Sequence, residues 1–203
     1  MNNIYKSKRF RLTGIADLIF HNPQLANRDS DYGKAIAEIN KKVKKSDDDI
    51  AERHKLEFFG SFYLDSKYGL GLPTDNVFAM VCTGARIIKG FKNKVLASVL
   101  IEGNEKTGNA NFLKVLFQGP QSPHELWEDK RYHFFSPVVV NRSKIFTLRP
   151  KIPMVWEFEG VVRYMPEINF GDLETAFVEG GLRGALGDYR PRYGRCSVEF
   201  MEK

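Results

Sequence analysis

The stretch Met154-Val155-Trp156-Glu157-Phe158-Glu159-Gly160-Val161-Val162-Arg163-Tyr164 decides the fold class. Val155, Glu157, Glu159 and Val161 alternate with Trp156, Phe158, Val162 and Tyr164. A period of two over this length is a strand with one face in a core. Beyond Tyr164 the period changes. Asn169 to Glu179 has helical spacing, Gly180 to Arg195 is rich in glycine and arginine, and Tyr193 to Met201 returns to a strand pattern. The C-terminal unit is therefore strand, helix, Gly-rich loop, strand.

Working back, Lys8 to Phe20 reads as a first strand ended by His21-Asn22-Pro23, because proline cannot continue a ladder. Asp31 to Lys45 carries Tyr32, Ala35, Ile36, Ile39 and Val43 at helical spacing. Ser46 followed by Asp47, Asp48 and Asp49 is an N-cap with acids in the first turn, opening a second helix to about Phe59. This pair makes residues 21–60 a helical insertion after the first strand. Ser61 to Leu72 is a small hairpin. Pro73-Thr74-Asp75-Asn76 opens a helix running to about Lys89, and Val95 to Glu102 and Phe112 to Phe117 read as strands. His124 to Asp129 is a short helical turn. Pro137 to Leu148 is an added β-hairpin with Asn141-Arg142-Ser143 at its turn. The expected fold is α+β, a single domain over 1–203 with a ferredoxin-like split βαβ plan.

The loop at 180–195 is the chemically richest segment. It holds five glycines, four arginines and two tyrosines against one acid. Arginine offers planar, bidentate donors that match phosphate. Tyrosine offers a face for a base. Arg183, Arg190, Arg192 and Arg195 are the candidate phosphate contacts, and Tyr189 and Tyr193 the candidate stacking residues. Gly184, Gly187 and Gly194 serve the backbone geometry. A helix C-cap followed by a soluble turn is the alternative reading.

The net charge of +6 is segregated along the chain. Asn76 to Ile101 and Lys130 to Trp156 contain no acid, while the acids gather at Asp47 to Asp49 and Glu167 to Glu179. Such sorting builds a basic face of the kind that meets phosphates. Arg86 and Lys89, late in the middle helix, and Arg142 and Lys144, on the hairpin, join the candidate set. Cations at a helix C-terminus also answer its dipole, which is the competing account of Arg86 and Lys89.

Leu72-Pro73-Thr74-Asp75-Asn76-Val77-Phe78-Ala79-Met80-Val81-Cys82-Thr83-Gly84-Ala85-Arg86 resembles the proline, small-polar, helix, Gly-Ala-Arg element of the RAMP superfamily, the RNA-binding backbone proteins of CRISPR complexes. Gly180 to Gly194 resembles that superfamily's glycine-rich loop, and Leu12-Thr13-Gly14-Ile15-Ala16-Asp17-Leu18 its first strand. The ending Gly-Asp-Tyr-Arg-Pro-Arg-Tyr-Gly-Arg is similar to that of phage-encoded proteins. The resemblance implies an RNA-recognition-motif-like fold, binding of single-stranded DNA or RNA and self-association along the strand. It also makes His21 a candidate general base for a metal-independent endoribonuclease. The two cysteines in apolar contexts and the absence of an apolar stretch at the N-terminus read as cytoplasmic, in the host if the protein is phage-encoded.

Other chemistry is thin in the sequence. Cys82 and Cys196 form no metal motif, and no Walker loop or nucleophile elbow is present. No cofactor is expected, and the protein reads as non-enzymatic. There is no run of about 18 apolar residues, so no membrane partner is expected. A phage-encoded protein-interaction factor, such as an inhibitor of a host system, is the rival reading. Finally, Leu113-Lys114-Val115-Leu116-Phe117-Gln118-Gly119-Pro120 resembles a rhinovirus-type protease recognition sequence.

Overall fold

The computed structural model describes residues 4–140 and 143–201. The main elements in chain order are β1 (Lys6–Gly14), α1 (Asp31–Lys41), α2 (Asp47–Gly60), α3 (Thr74–Gly84), α4 (Phe91–Ser98), β2 (Val99–Gly103) and α5 (Pro123–Glu128). After them come β3 (His133–Val140), β4 (Ser143–Ile152), β5 (Trp156–Tyr164), α6 (Phe170–Glu179) and β6 (Cys196–Met201). The protein is mixed α+β with antiparallel sheets. The chain forms two units, one from residues 1–18, 64–119 and 153–203, the other from 19–63 and 120–152. Thus the segment read as a helical insertion folds together with the later hairpin.

The first unit is built on a sheet with strand order β6-β1-β5-β2, extended by Leu116–Phe117 beside the start of β5. β5 alternates buried and half-buried residues along its whole length, as its sequence dictates. Phe10 and Leu12 of β1, Phe158 and Val162 of β5, and Ile101 of β2 supply the buried face. Val77, Met80 and Val81 of α3 and Leu173, Ala176 and Phe177 of α6 are buried with them. Phe10 and Phe177 rings lie 5.2 Å apart, and Phe177 and Phe200 5.1 Å apart. Each such ring contributes about 1.5–3 kcal/mol by leaving water, so this layer is the main source of stability of the unit. α6 starts where Asn169 caps it, accepting the Asp172 N–H at 3.1 Å.

Three expected elements shift. The first strand ends at Gly14, because Gly14 lies against the Trp156 indole and Trp156 Nε1 donates to the Ala16 carbonyl at 2.8 Å, turning the chain. The middle helix stops at Gly84, followed by a single 3-10 turn over Ala85–Ile87 and a left-handed Gly90. The run from Val95 begins as helix, not strand. Phe91 and Val95 are both buried, one helical turn apart, and β2 begins only at Val99. An apolar run of that length satisfies either period, and packing decides it.

In the second unit α2 begins with a full capping box between Ser46 and Asp49. Its buried Phe58 meets Phe62 at 5.3 Å and Trp127 at 5.2 Å. β3 and β4 form the expected hairpin, longer than its sequence pattern suggested. Arg53 of α2 is buried, donating to the Phe146 carbonyl at 2.5 Å and pairing with Glu57 at 3.4 Å. Glu57 in turn accepts the Leu148 N–H at 3.0 Å, although burial pushes its carboxyl above the ordinary range. Among the described residues, no helix is long and apolar enough to cross a membrane.

Candidate nucleic-acid interface

The Gly180–Arg195 segment leaves α6 through a wide π-type turn over Gly180–Gly184. It is closed by backbone bonds to its own surroundings. Ala185 N–H reaches Gly180 O at 2.9 Å, Leu186 N–H reaches Gly194 O at 2.9 Å, and Gly194 N–H reaches Asp17 O at 2.8 Å. Tyr193 N–H meets Tyr189 O at 3.3 Å, and Ile15 N–H meets Arg195 O at 2.9 Å. The loop is thereby tied to the end of β1.

The glycines face inward. Gly180, Gly181 and Gly184 are buried. A side-chain carbon at Gly180 would meet the Met80 carbonyl oxygen at 2.5 Å, and one at Gly184 the Thr83 Cβ at 3.0 Å. Gly194, also buried, holds φ +70° with Leu186 O in the place of a Cβ, so only glycine fits. Gly187 takes φ 69° at the loop's bend. The close approach that these glycines permit is to α3, to Cys196 at the start of β6 and to the loop's own backbone.

The arginines face outward. Arg183, Arg190, Arg192 and Arg195 are all exposed. Arg183 is bonded through Nε to Glu179, one helical turn back. Arg192 places its guanidinium 5.7 Å from the Tyr193 ring. Tyr189 and Tyr193 are half-buried, their rings edge to face at 6.4 Å. This sorting puts four cations beside two half-buried tyrosines on one segment, with the Tyr189 hydroxyl turned inward.

Arg86 and Lys89 are exposed, but neither is in the helix. Arg86 lies in the 3-10 turn that directly continues the end of α3, where the helix-dipole account still applies to it, and Lys89 lies farther on, just before Gly90. Because α3 ends against Gly180 and Gly184, Arg86 and Arg183 come from turns that pack on the same helix end. Lys144 is exposed on β4 of the second unit. Arg142 lies outside the described residues.

The open face of the main sheet differs from a base-stacking platform. Strand alternation assigns to it Arg9, Arg11 and Thr13 of β1, Glu157, Glu159, Val161 and Arg163 of β5, Ser197 and Glu199 of β6, and Leu100 and Glu102 of β2. None of these is aromatic. Arg11 donates to Glu159 at 2.7 Å and Arg163 to Glu102 at 2.6 Å. A groove of about 1080 Å³ runs over this face past Lys67, Tyr68, Asn104 and Lys106. Its arginine charge is largely matched by carboxylates, so a polyanion gains little there.

His21 is half-buried beside Arg149 in the second unit, and its Nδ1 has no hydrogen-bond partner. Burial first, and Arg149 second, push its pKa down to about 4. Tyr63 Oη donates to its carbonyl, not its ring. Among the described residues no group of three His, Cys, Asp or Glu side chains is arranged to hold a metal ion.

Sequence reasoning missed the anchors of the loop. Asp17 receives the Gly194 N–H, and Asp17 Oδ1 accepts the Met154 N–H at 3.1 Å. No local pattern links residue 17 to residues 154 and 194. No family model matches this sequence, and no curated protein matches it either.

Proposed function

We propose that the first unit is a ferredoxin-like, RNA-recognition-motif-like core that binds single-stranded DNA or RNA through the Gly180–Arg195 loop, without catalysis. The fold part of the reading is supported by the strand order β6-β1-β5-β2, with α6 directly after the central strand β5 and α3 the first helix of this unit after the central strand β1. The observation that carries the binding part is the sorting within the loop: glycines buried against the protein, arginines exposed, tyrosines half-buried beside them. Buried glycines fix the loop's path, and a fixed path presents guanidinium groups without the full ordering cost on binding. The paired charges and missing aromatics of the open sheet face favour the loop over the sheet as the contact surface.

In this reading Arg190, Arg192 and Arg195 carry most of the phosphate contact, with Arg86 and Lys89 extending it. Tyr189 and Tyr193 stack on bases, each stack contributing about 1–3 kcal/mol. Protomers contact one another along the strand, and a phage-encoded protein acting in the host cytoplasm fits the motif resemblance.

The test is binding of labelled single- and double-stranded DNA and RNA across a salt series. It compares the wild type with a triple variant, Arg190→Ala, Arg192→Ala and Tyr193→Ala. Salt-sensitive binding to single strands that the triple variant loses supports the reading and identifies the polymer. Absence of binding to every strand at low salt overturns it.

A further inference from the structure

The second unit carries an apolar groove that the nucleic-acid reading does not use. α2 contributes Ile50, Arg53 and His54 to it, and β3 and β4 contribute Phe135, Ile145 and Phe146, around a volume of about 480 Å³. Phe146 and Phe135 leave 58% and 55% of their surface in water. A phenylalanine gains about 1.5–3 kcal/mol on full burial, and in the free chain these two rings forgo much of it. Their backbone is nevertheless fixed. The Phe146 carbonyl accepts from Arg53 at 2.5 Å and lies 3.3 Å from His54 Nε2. The Phe135 ring meets the His54 ring edge-on at 5.5 Å. The groove is therefore preformed, with two exposed rings on a hydrogen-bonded strand pair.

We propose that this groove docks a short segment of a partner protein in which apolar side chains are flanked by carboxylates. Its apolar lining mixes aliphatic and aromatic residues, which suits peptide side chains better than base stacking. No carboxylate lines it; its cations are Lys45 and Arg53, the latter buried and paired with Glu57, so Lys45 supplies the outward charge. Lys144, exposed two residues before Phe146 and opposite Val139, extends the positive rim along the hairpin. Asp49, the nearest acid to Ile50 in sequence, is bonded to Lys42 and Ser46. A positive rim around an apolar floor selects an acidic, apolar partner and speeds its approach. The proposal is independent of the loop at Gly180–Arg195.

The test is selection of a random peptide display library on the full chain, with counter-selection on Phe135→Ser/Phe146→Ser. Both positions are exposed, so that variant should keep its urea midpoint, which is checked first. The expected peptides carry apolar residues flanked by aspartate or glutamate. Their synthetic forms bind the wild type at least about tenfold more tightly than the double variant, a difference of about 1.4 kcal/mol. Lys45→Glu/Lys144→Glu should shift preference towards lysine-flanked peptides. Three results would overturn the proposal: peptides that bind the double variant equally, peptides whose carboxylates become amides without loss, or a dimer of the wild type that the double variant abolishes.

Discussion

Gly84 and Gly180 meet backbone to backbone: a side-chain carbon on Gly84 would collide with the amide nitrogen of Gly180 and the carbonyl oxygen of Ala176. Two helix ends, of α3 and α6, thus touch without an intervening side chain. Alanine at Gly84 would regain about 1 kcal/mol of helix propensity. Forcing a methyl group into rigid backbone costs about 1–3 kcal/mol. The steric term wins because nothing flexible lies in the way. Gly84→Ala should therefore lower stability by up to about 2 kcal/mol, read as a lower urea midpoint with unchanged slope. An unchanged midpoint would mean that the helix ends separate freely.

Arg183 differs from the other loop arginines in being tied to Glu179. That pair is on the surface, and such pairs contribute little to stability. Its effect on binding should be larger, because the carboxylate competes with phosphate. Glu179→Gln is expected to tighten binding of single strands and to steepen the salt dependence. Arg190→Ala and Arg192→Ala should each flatten the logarithmic salt slope by about 0.7. All three should leave stability within about 0.5 kcal/mol. Weaker binding by Glu179→Gln would show that the pair positions the loop instead.

How far the sequence reaches is visible in these two regions. β5, α6 and the hairpin were legible because alternation, an Asn169 cap and paired apolar runs are local signals. The loop's composition was legible too, but its orientation was not. Which glycines turn inward depends on Met80 and Thr83, about a hundred residues earlier in the chain. The α4 helix was missed because Phe91 and Val95 become a buried stripe only once neighbouring elements are in place. The exposure of Phe135 and Phe146 was unreadable for the same reason, since a strand pattern does not say which apolar face is left uncovered.

His21 gives the second unit a pH dependence. Its pKa is about 4 in the folded chain against 6.5 when unfolded. Between those values the unfolded chain binds a proton that the folded chain excludes. The stabilisation is complete above pH 6.5 and is lost as pH falls towards 4. Glu57, whose carboxyl is raised by burial, acts with the opposite sign. The informative quantity is therefore the difference between wild type and His21→Gln. The wild type should lose stability more steeply on acidification than the variant, measured as urea midpoints across that range. Parallel curves would remove His21 as the source.

The protease-like segment Leu113–Pro120 should be protected by the fold. Val115 and Leu113 are wholly buried, and Phe117 and Leu116 pair with Trp156 and Glu157 of β5. Only Gln118 and Gly119, at the bond to be cut, are exposed. A protease that reads its site as an extended strand must first peel the segment away, so cleavage should follow the population of locally opened chains. Under native conditions a rhinovirus-type protease should cut a flexible linker of the same sequence fully while leaving this chain intact. Urea below the unfolding midpoint should accelerate cleavage. Val115→Ala, which removes buried methyl groups and loosens the strand, should do the same without urea. Cleavage of the native wild type at the linker's rate would show that Leu116 and Phe117 detach from β5 readily.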